Sequence, residues 1–581
     1  MVFAAVHKVL ALLAFIAFCH AVDEVKVNSY AFDGTKLTGT ITVKNLAYAK
    51  TVTVIYANTA QTWGNTCSAG YTSGPDSSNK EAWSFNCPIS SAGITQFYVE
   101  YKVNGATYYD NNGGYGNNYQ VTTPTSAPGT PGFQADVTAF LSAGLPSFKT
   151  FLLNNISPKN VAGALPGSII AASPGGANNY VWHWLRDSGL VMNVINEFYK
   201  ASGDATLEQT FWDHAAFNKK LQGLTTPSGL GEPKYKVDGT AFTDPWCRPQ
   251  NDGPAVRASS FIRFSKAYLA KGGSLSKVVD LYNSTASGVI KNDIAYVLTK
   301  YNDGNGCDLW EEQRGLHFFT VAVQRRAVYE ARDFATLLGD AASAATYAAE
   351  ATKLDAKLAT FWNANAQSVQ TTLSARLLDA AIPLGAVHGD NGDGVFAPQD
   401  DRILSSIAQL ESGFVTEYAL NQNVKTDSAG LPLSLAIGRY YGDTYDGANN
   451  SQGNPWYLCT LIVAESVFRA ATAFVKAGSI TVTPLNQKLF NANAPVGLGL
   501  NLAAGTYAKG TTQFTSIVEG LKAYGDKHIR RVKFHGAAAN HFNEQFNRNT
   551  GVPQGVNDLT WSYAALISTN NARQELKALS P

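Results

Sequence analysis

The stretch FFTVAVQRRAVYEARDFATLLG, residues 318–339, decides the fold class of most of the chain. Its apolar residues return every three or four positions, the period of a helix that buries one face. The same period recurs in the stretches at 275–301, 341–362, 457–478 and 512–534. Long loops rich in Gly, Pro and aromatic residues separate these stretches, and sites are commonly built on such loops. The sequence therefore predicts an all-helical domain over residues 133–581.

The residues ahead of this region have a different pattern. From Val25 to Val121, short runs of β-branched and aromatic residues alternate with polar ones, and Gly, Asn and Ser separate the runs about every ten residues. This pattern predicts an antiparallel β-sandwich over residues 22–121. The segment TTPTSAPGTPG, residues 122–132, reads as a semi-rigid linker. The chain is thus predicted to be multidomain, with β-structure followed by α-structure.

The first 21 residues, MVFAAVHKVLALLAFIAFCHA, have the character of a signal peptide. A basic start, an apolar run and a small residue at Ala21 predict cleavage after that residue and a secreted protein. No other stretch approaches 18 uninterrupted apolar residues, so no membrane span is expected. Three N-glycosylation sequons fit an extracellular setting, and they begin at Asn155, Asn283 and Asn449.

The overall composition excludes several classes of partner. The chain has 45 Lys and Arg against 44 Asp and Glu, so no basic surface for nucleic acid or anionic membrane is expected. Low charge with 27 Tyr and 10 Trp favours uncharged polar ligands. The nine His residues are scattered, and residues 388–401 lack the spacing of a calcium loop, so neither a metal nor another cofactor is expected.

Six cysteines become five once Cys19 is removed with the signal peptide. Cys67 and Cys87 lie in one small region and form a candidate disulfide. Cys247 and Cys307 lie beside two further motifs and are a second possible pair. Cys459 lies in an apolar helical run and is expected to be a buried free thiol.

The stretch GCDLWEEQRG, residues 306–315, places two carboxylates behind a tryptophan. Desolvation by Trp310 and the like charge of Glu312 are expected to raise the pKa of Glu311, as a general acid requires. Glycosidic cleavage also needs a second, ionised carboxylate. Adjacent side chains diverge, so this partner must come from elsewhere in the chain. Glu544 is the available candidate, and its polar neighbours Asn543, Gln545 and Asn547 are expected to keep it ionised.

Two more loops combine aromatic, Arg and acidic residues. They read NNYVWHWLRDSGLV at 178–191 and DPWCRPQNDGPAVRA at 244–258. Aromatic rings stack on the apolar face of a sugar, while charged groups bind its hydroxyls in pairs. These loops therefore predict a carbohydrate site.

The stretch NGCDLWEEQRG resembles the active-site signature of the fungal glucoamylases, glycoside hydrolase family 15. The stretches WLRDSGL, WCRPQNDGPAVRA, GRYYGDTYDG and NEQFNRNTG resemble the family's other motifs, in the family's order, over roughly residues 160–570. The resemblance implies an (α/α)6 barrel. It also implies release of β-glucose from the non-reducing ends of starch, glycogen and malto-oligosaccharides, with inversion.

Carried over by motif, the resemblance makes Glu311 the general acid and Glu544 the general base. It assigns substrate binding to the sugar-clamp and wall residues Tyr180, Trp184, Arg186, Asp187, Trp246, Asp308, Trp310, Glu312, Arg439 and Asp443. Asp308 is expected to support the acid loop.

The N-terminal region is similar to the starch-binding module of carbohydrate-binding family 21, an arrangement found in glucoamylases of Mucorales-type fungi. The resemblance implies one aromatic ligand surface made of Trp63, Tyr98 and Tyr109, and a second that includes Tyr48 and Tyr71. A monomer is expected on the same ground.

Two alternatives remain at this point. One is another inverting α-glucoside hydrolase or a phosphorylase, which would need a basic phosphate pocket in place of a water-activating base. The other is a non-catalytic glucan-binding protein. The Glu544 motif argues against a phosphorylase, and the presence of both Glu311 and Glu544 in their motifs argues against a non-catalytic protein.

Overall fold

The computed structural model describes residues 23–32, 36–58, 60–89, 93–113, 117–121, 132–175, 178–283, 288–372 and 376–580. The chain divides into two compact units, Met1–Pro128 and Gly129–Pro581. The predicted signal peptide and residues 122–131 of the predicted linker lie outside the described residues.

The first unit contains nine described strands in two antiparallel sheets, ordered β1-β2-β6-β5 and β4-β3-β7-β8, with β9 paired to β7. The strands are β1 Val25–Phe32, β2 Lys36–Lys44, β3 Lys50–Ala57, β4 Asn65–Ser68, β5 Gly70–Ser73, β6 Lys80–Pro88, β7 Gln96–Val103, β8 Ala106–Asp110 and β9 Tyr119–Gln120. Alternate residues of the long strands are buried; in β7 these are Phe97, Val99, Tyr101 and Val103. This period of two confirms a sandwich with one apolar face per sheet.

A disulfide joins the two sheets of this unit. Cys67 on β4 and Cys87 on β6 are bonded, with their Cα atoms 5.5 Å apart. The predicted pair is therefore present, and it links the layers directly.

The second unit is helical. Its helices are α1 Ala135–Asn154, α2 Leu185–Ser202, α3 Ala205–Gln222, α4 Gly253–Ala270, α5 Leu275–Tyr282, α6 Ile290–Lys300, α7 Phe318–Leu337, α8 Ala341–Ala359, α9 Ala381–His388, α10 Asp401–Glu417, α11 Ala419–Asn423, α12 Tyr457–Ala477, α13 Gln487–Phe490, α14 Thr512–His535 and α15 Thr560–Leu579. The loops between them carry short strands: β10 His183–Trp184, β11 Lys234–Tyr235, β12 Gly306–Cys307, β13 Arg314–Gly315, β14 Trp362–Asn363, β15 Ser368–Val369, β16 Ser479–Val482, β17 Gly505–Ala508, β18 Gln545–Phe546 and β19 Pro553–Gln554.

Six of these helices form a closed inner ring. Helix α2 packs on α4, α4 on α7, α7 on α9, α9 on α12, α12 on α15, and α15 on α2 again. An outer layer covers the ring, because α3, α6, α8, α10, α14 and α1 pack on α2, α4, α7, α9, α12 and α15 respectively. The chain thus alternates between outer and inner helices, which confirms the predicted (α/α)6 barrel.

The burial pattern of each helix follows its layer. Outer helix α8 buries a single stripe formed by Tyr347, Ala351, Leu354 and Leu358, at spacings of three and four. Inner helix α12 is buried on nearly every side. Among the described helices, α12 alone is long and apolar enough to cross a membrane, but 89% of its most apolar window is buried inside the protein. Its composition is explained by its place in the barrel core.

Candidate active site

The predicted site residues gather at one end of the barrel, where the inner helices begin. Arg186 lies in the first turn of α2, Asp252 directly precedes α4, and Glu311 lies in the loop before α7. Contacts between these loops bring the helix starts together: Arg186 Nη1 lies 2.9 Å from Asp252 Oδ2, and Trp184 Nε1 lies 2.7 Å from Glu311 Oε1. Trp456, ahead of α12, bridges to Gln545, which follows Glu544. Sequence motifs hundreds of residues apart therefore form one site.

The Glu311 carboxylate is held by donors from two other loops. Trp184 Nε1 and Gln250 Nε2 donate to Oε1 at 2.7 and 2.9 Å, and Trp246 Nε1 donates to Oε2 at 2.8 Å. Arg186 Nη2 lies 3.5 Å from Oε1. The side chain is still 18% exposed. The carboxyl group is thus fixed in position while one side remains open to a ligand.

The backbone at Glu311 adopts a left-handed conformation, with φ of 66°. Such a conformation costs a non-glycine residue of the order of 1–3 kcal/mol and persists where surrounding contacts impose it. Asp308 supplies those contacts: its Oδ1 accepts the backbone N–H groups of Glu312 and Gln313 at 2.8 and 2.9 Å, and its carbonyl accepts that of Glu311. The structure therefore places Asp308, which is buried, as the support of the acid loop.

Glu312 turns away from Glu311 and meets positive charge. Its Oε1 lies 2.6 Å from Arg439 Nη2, while its Oε2 lies 3.2 Å from Arg376 Nη2 and accepts a hydrogen bond from Tyr440. Glu312 was expected to be a like charge beside Glu311, and the structure pairs it with two guanidinium groups. Adjacent residues in this turn point to different partners.

Trp310 is buried and donates from Nε1 to Asp379 Oδ1 at 2.9 Å. Burial raises the pKa of Asp379 to about 6. The indole was expected to shield the acid loop from water. The structure shows that the indole N–H also anchors the Trp310 ring, through its hydrogen bond to Asp379.

Two arginines form the charged part of the site. Arg186 donates to Asp252 and to Gln250, and its Nε, 3.9 Å from Asp187, is buried without a hydrogen-bond partner. Arg439 makes a bidentate pair with Asp443 at 2.7 and 2.8 Å. A buried donor without an acceptor requires a partner, and a ligand hydroxyl would supply one.

Burial raises the pKa of Asp187 to about 6, against the opposing effect of Arg186. Only 13% of its side chain is exposed. Together, Arg186 and Asp187 present a donor and an acceptor side by side, which suits a pair of sugar hydroxyls.

Aromatic rings form a continuous wall next to these charges. The ring centroids of Tyr180 and Trp184 are 5.4 Å apart, and those of Trp184 and Trp246 are 6.3 Å apart. Lys234 Nζ lies 3.2 Å from the centroid of the Trp246 ring and 4.4 Å from that of Trp184. Burial lowers the pKa of Lys234 to about 8. Because Trp246 is 39% exposed, its ring is available to a ligand.

Glu544 is almost completely buried, with 1% of its surface exposed. Its Oε2 accepts from Gln545 Nε2 at 3.2 Å, and its Oε1 has no hydrogen-bond partner. Burial raises the pKa of Glu544 to about 8, although Arg439 acts in the opposite direction. The expectation that polar sequence neighbours keep it ionised is wrong for the ligand-free site. Of the three expected neighbours, Gln545 donates to the carboxylate, whereas Asn543 donates to Asn557 and Asn547 to Gln554.

Two tyrosines connect the carboxylates. The hydroxyl groups of Tyr180 and Tyr445 are hydrogen-bonded at 2.8 Å, and both favour the charged form of Glu544, which lowers its pKa. Burial raises the pKa of Tyr180, and the negative charges of Glu544 and Glu311 raise it further. Tyr180, whose ring contacts that of Trp184, therefore lies within electrostatic reach of both carboxylates.

Sequence reasoning missed several residues of this chamber: Lys234, Gln250, Asp252, Arg376, Asp379, Tyr440, Tyr445 and Trp456. Gln250 and Asp252 stood inside the motif at 244–258, and Tyr440 and Tyr445 stood inside GRYYGDTYDG, so these motifs were the available signal. Lys234, Arg376 and Asp379 lie outside the quoted motifs, and only their contacts reveal them.

A second disulfide fixes the Trp246 loop. Cys247 and Cys307 are bonded with their Cα atoms 5.9 Å apart, and Cys307 N donates to Pro249 O at 2.8 Å. The pair that sequence left open is thus present. It ties the loop that carries Trp246 to the strand ahead of Glu311. Cys459 is a buried free cysteine.

The predicted sequons differ in their surroundings. Asn155 is buried, and its Nδ2 donates to Asp558 O and Thr560 Oγ1 at 3.1 and 2.8 Å. The prediction of a glycan at Asn155 is therefore wrong for the folded chain, because the amide that would carry it is occupied. Asn449 is exposed, while Asn283 is half-buried, and Ser284 and Thr285 of its sequon lie outside the described residues.

In the first unit, three predicted sugar-binding rings lie side by side. The centroids of Trp63 and Tyr98 are 5.4 Å apart, and those of Tyr98 and Tyr109 are 5.9 Å apart. Trp63 and Tyr109 are 39% and 46% exposed. This is the contiguous, open aromatic surface that stacking on a glucan chain requires.

The second predicted surface is less complete. Tyr48 is fully exposed and Tyr71 is 56% exposed, but no ring contact joins the two within the described residues. Tyr71 instead contacts Trp83, at 6.1 Å between centroids, and donates to Gly74 O at 2.6 Å. Trp83 is thus a further aromatic of this surface that sequence reasoning missed.

No group of three or more His, Cys, Asp or Glu side chains that could hold a metal ion occurs among the described residues.

The buried carboxyl of Glu544 predicts a pH-dependent stability. The pKa of Glu544 is about 8 in the folded chain and near 4.5 when exposed, so the native state retains a proton that the unfolded chain releases. Its contribution to the free energy of unfolding therefore falls as pH rises from about 4.5 to 8. E544Q removes this dependence. The unfolding free energy of E544Q minus that of the parent is therefore expected to increase by up to about 4 kcal/mol from pH 5 to pH 8.

Chemical denaturation at pH 5, 6.5 and 8 measures this difference. E197Q, at a side chain that is 51% exposed, is the control. A difference between E544Q and the parent that stays constant with pH would contradict the assignment.

Comparison with known proteins agrees with the geometry. The family description "Glycosyl hydrolases family 15" matches residues 146–571, and "Carbohydrate/starch-binding module (family 21)" matches residues 20–122. The chain is 35% identical over 591 residues to Glucoamylase 1 of Rhizopus oryzae, covering 94% of each chain. It is also 35% identical to the glucoamylase of Blastobotrys adeninivorans, covering 95% of this chain and 93% of the relative.

Solved structures show the same likeness. The structure of glucoamylase from Saccharomycopsis fibuligera superimposes with a TM-score of 0.70 at 28% identity, covering 79% of this chain and 99% of that one. That of Hormoconis resinae glucoamylase gives 0.67 at 30% identity, covering 75% of this chain and 74% of that one. The chain therefore belongs to glycosyl hydrolases family 15, and it carries a carbohydrate/starch-binding module of family 21 ahead of the hydrolase domain.

Proposed function

We propose that this chain is a secreted glucan 1,4-α-glucosidase, a glucoamylase, that releases β-glucose from the non-reducing ends of starch, glycogen and malto-oligosaccharides. The observation that carries the proposal is the pairing of an anchored, accessible carboxyl group at Glu311 with a buried carboxyl group at Glu544, both within electrostatic reach of Tyr180. Glucoamylase relatives that match nearly the whole chain support the substrate class.

Glu311 acts as the general acid. The donors from Trp184, Trp246 and Gln250 hold its two oxygens in fixed directions. A proton on this carboxyl is transferred to the glycosidic oxygen as the bond to the anomeric carbon breaks. The fixed geometry matters because a general acid works only within hydrogen-bond reach of the leaving oxygen.

Glu544 acts as the general base. Its Oε1 is buried and has no protein partner, so it is free to accept a hydrogen bond from a water molecule on the opposite face of the sugar. That bond, together with Tyr180 and Tyr445, favours the ionised form and lowers the pKa from its ligand-free value of about 8. Attack by this water inverts the anomeric carbon. In such enzymes the two carboxyl groups are about 6.5–9.5 Å apart.

Exo-action, the removal of sugars from a chain end, follows from the side chains of Arg186 and Asp187 in the first turn of α2. Arg186, with an unpaired Nε, and Asp187 offer a donor and an acceptor for the hydroxyls of a terminal sugar. Buried polar groups of this kind reject a ligand that leaves them unpaired. A chain end satisfies them, whereas the interior of a glucan chain presents fewer free hydroxyls.

The stereochemistry and the exo-mode are tested together with maltotriose. Proton NMR within the first minutes, before mutarotation, is expected to show β-glucose and maltose as the first products. If α-glucose appeared first, the enzyme would retain configuration and Glu544 would not be a simple base. If no sugar were released, the chain would be a glucan-binding protein without catalytic activity.

The N-terminal unit is proposed to hold the enzyme on starch through Trp63, Tyr98 and Tyr109. W63A removes an exposed ring, and its affinity for starch is expected to fall roughly tenfold, about 1.4 kcal/mol. Adsorption to starch measures the affinity, and maltotriose kinetics are expected to stay unchanged. W63F retains an aromatic plane and is expected to keep most of the binding. Undiminished adsorption of W63A would refute this surface.

Secretion is proposed on the signal-like sequence of residues 1–21 alone. Cell fractionation of a producing culture tests it: enzyme in the medium, beginning at residue 22, is expected. A monomer is proposed for the secreted form, which sedimentation analysis checks.

A further inference from the structure

The barrel contains a cavity that none of the candidate active-site residues lines. The cavity has a volume of about 650 Å³ and is lined by all six inner helices. On α2 its lining begins at Leu190, three residues beyond Asp187, and continues to Ala201 near the end of that helix. Ligand sites of small molecules commonly occupy about 300–1,000 Å³. The cavity is therefore large enough for a ligand.

The floor of this cavity is apolar. It is formed by Leu190, Leu384, Leu458 and Trp561, all of which are buried. Trp561 adds an indole to this surface. Polar side chains lie above the floor, so the cavity combines an apolar base with hydrogen-bonding walls.

The charged residues of the wall balance each other. The acidic ones are Glu197, Asp390, Glu465 and Glu575, and the basic ones are Lys200, Arg263, Arg326 and Arg469. Several of them are already paired: Arg469 contacts Glu465 at 2.7 Å. A cavity with equal numbers of each sign favours neither a cation nor an anion. It favours a neutral ligand.

Several polar atoms of the wall have no protein partner. Asn193 Oδ1 is buried and unpaired. Glu465 Oε1 accepts three hydrogen bonds, two from Arg469 and one from Ser568, at 2.7–2.9 Å. Glu465 Oε2 receives no donor from the described residues. Burial lowers the pKa of His388 to about 3, aided by Arg469 and Arg263, so its ring is neutral and offers one donor and one acceptor. Buried polar atoms normally have partners.

We propose that this cavity binds a neutral mono- or disaccharide, such as glucose or maltose, separately from the catalytic chamber. A sugar ring offers an apolar face to the indole of Trp561 and hydroxyls to Asn193, Glu465 and His388. Its hydroxyls both donate and accept, which matches a wall that contains unpaired acceptors and a neutral imidazole. Binding in the cavity requires no turnover, so it is independent of the proposed catalytic function.

The test uses the full chain carrying E544Q, which slows hydrolysis, labelled with 5-fluorotryptophan. The Trp561 fluorine resonance is identified by its loss in W561F. Addition of maltose is expected to shift this resonance saturably. The resonances of Trp184 and Trp246 report the catalytic chamber in the same titration, so failure of either site is seen separately.

A blocking variant supplies the control. Ala201 lines the cavity near its mouth and is exposed, so A201W fills the entrance without entering the core. It is expected to raise the Kd measured at Trp561 at least tenfold. A270W, at the exposed last residue of α4 and away from the cavity, is expected to leave the Kd unchanged. The proposal is overturned if Trp561 does not respond while Trp184 and Trp246 saturate, or if A201W responds as the parent does.

Crystals of E544Q soaked in maltose give a second readout that does not depend on the cavity variants. Sugar density beside Trp561 would support the site. An empty cavity together with an occupied catalytic chamber would overturn it.

Discussion

E311Q is expected to lower kcat for maltotriose by about 10³–10⁴-fold, the effect of losing a general acid. Glutamine keeps the size of the side chain but cannot release a proton to the glycosidic oxygen. The expected loss corresponds to about 4–5 kcal/mol of transition-state stabilisation. KM is expected to change little, because the Arg186 and Asp187 clamp is untouched.

A substrate with a different leaving group distinguishes proton donation by Glu311 from a role in positioning the substrate. α-Glucosyl fluoride loses fluoride, which needs no proton, so E311Q is expected to hydrolyse it with a loss at least about 100-fold smaller than for maltotriose. W246F is the matched control, because it keeps the Glu311 carboxyl group and removes the indole donor that reaches its Oε2 at 2.8 Å. Equal losses on both substrates would show that Glu311 is not the acid.

E544Q is expected to lower kcat by about 10²–10³-fold, and by the same factor for maltotriose and α-glucosyl fluoride. Both substrates need an activated water, whatever group leaves. The buried, unpaired Oε1 of Glu544 is the atom placed to accept its proton. Steady-state kinetics on the two substrates, compared with E311Q, distinguish a base from an acid.

Binding measurements complete this test. E544Q is expected to adsorb to starch as the parent does, because the residues of the starch-binding surface are unchanged. Retention of more than a tenth of the parent kcat would contradict the base assignment. If the parent instead released glucose 1-phosphate when inorganic phosphate was added, the phosphorylase alternative would hold.

The architecture was largely predictable from local patterns. Spacings of three and four in residues 318–339 and 457–478 indicated helices, and the structure has α7 and α12 there. Alternation in Gln96–Val103 indicated a half-buried strand, which is β7. Periodicity reports which face of an element is buried, and it is written in consecutive residues. It does not report which elements are neighbours, so the closed ring of six inner helices came only from the resemblance.

Electrostatic expectations drawn from sequence neighbours were less successful. Glu312 was expected to act on Glu311 and instead pairs with Arg439, 127 residues away. Of the three neighbours expected around Glu544, Gln545 donates to it, but Asn543 and Asn547 contact other side chains. Adjacent residues in turns and short strands point in different directions, so proximity along the chain is a poor guide to the field at a carboxyl group.

The sequence by itself determined the order of the two regions, the helical and β periodicities, and the motifs that bring Glu311 and Glu544 into a site. Only the tertiary structure decided the burial of Glu544, the four donors around Glu311, the occupied amide of Asn155 and the cavity lined by six helices. The physical reason is that desolvation and hydrogen bonding are set by whichever atoms packing brings together. For Glu311, those atoms lie 61 to 127 residues away, on helix starts that meet only when the barrel closes.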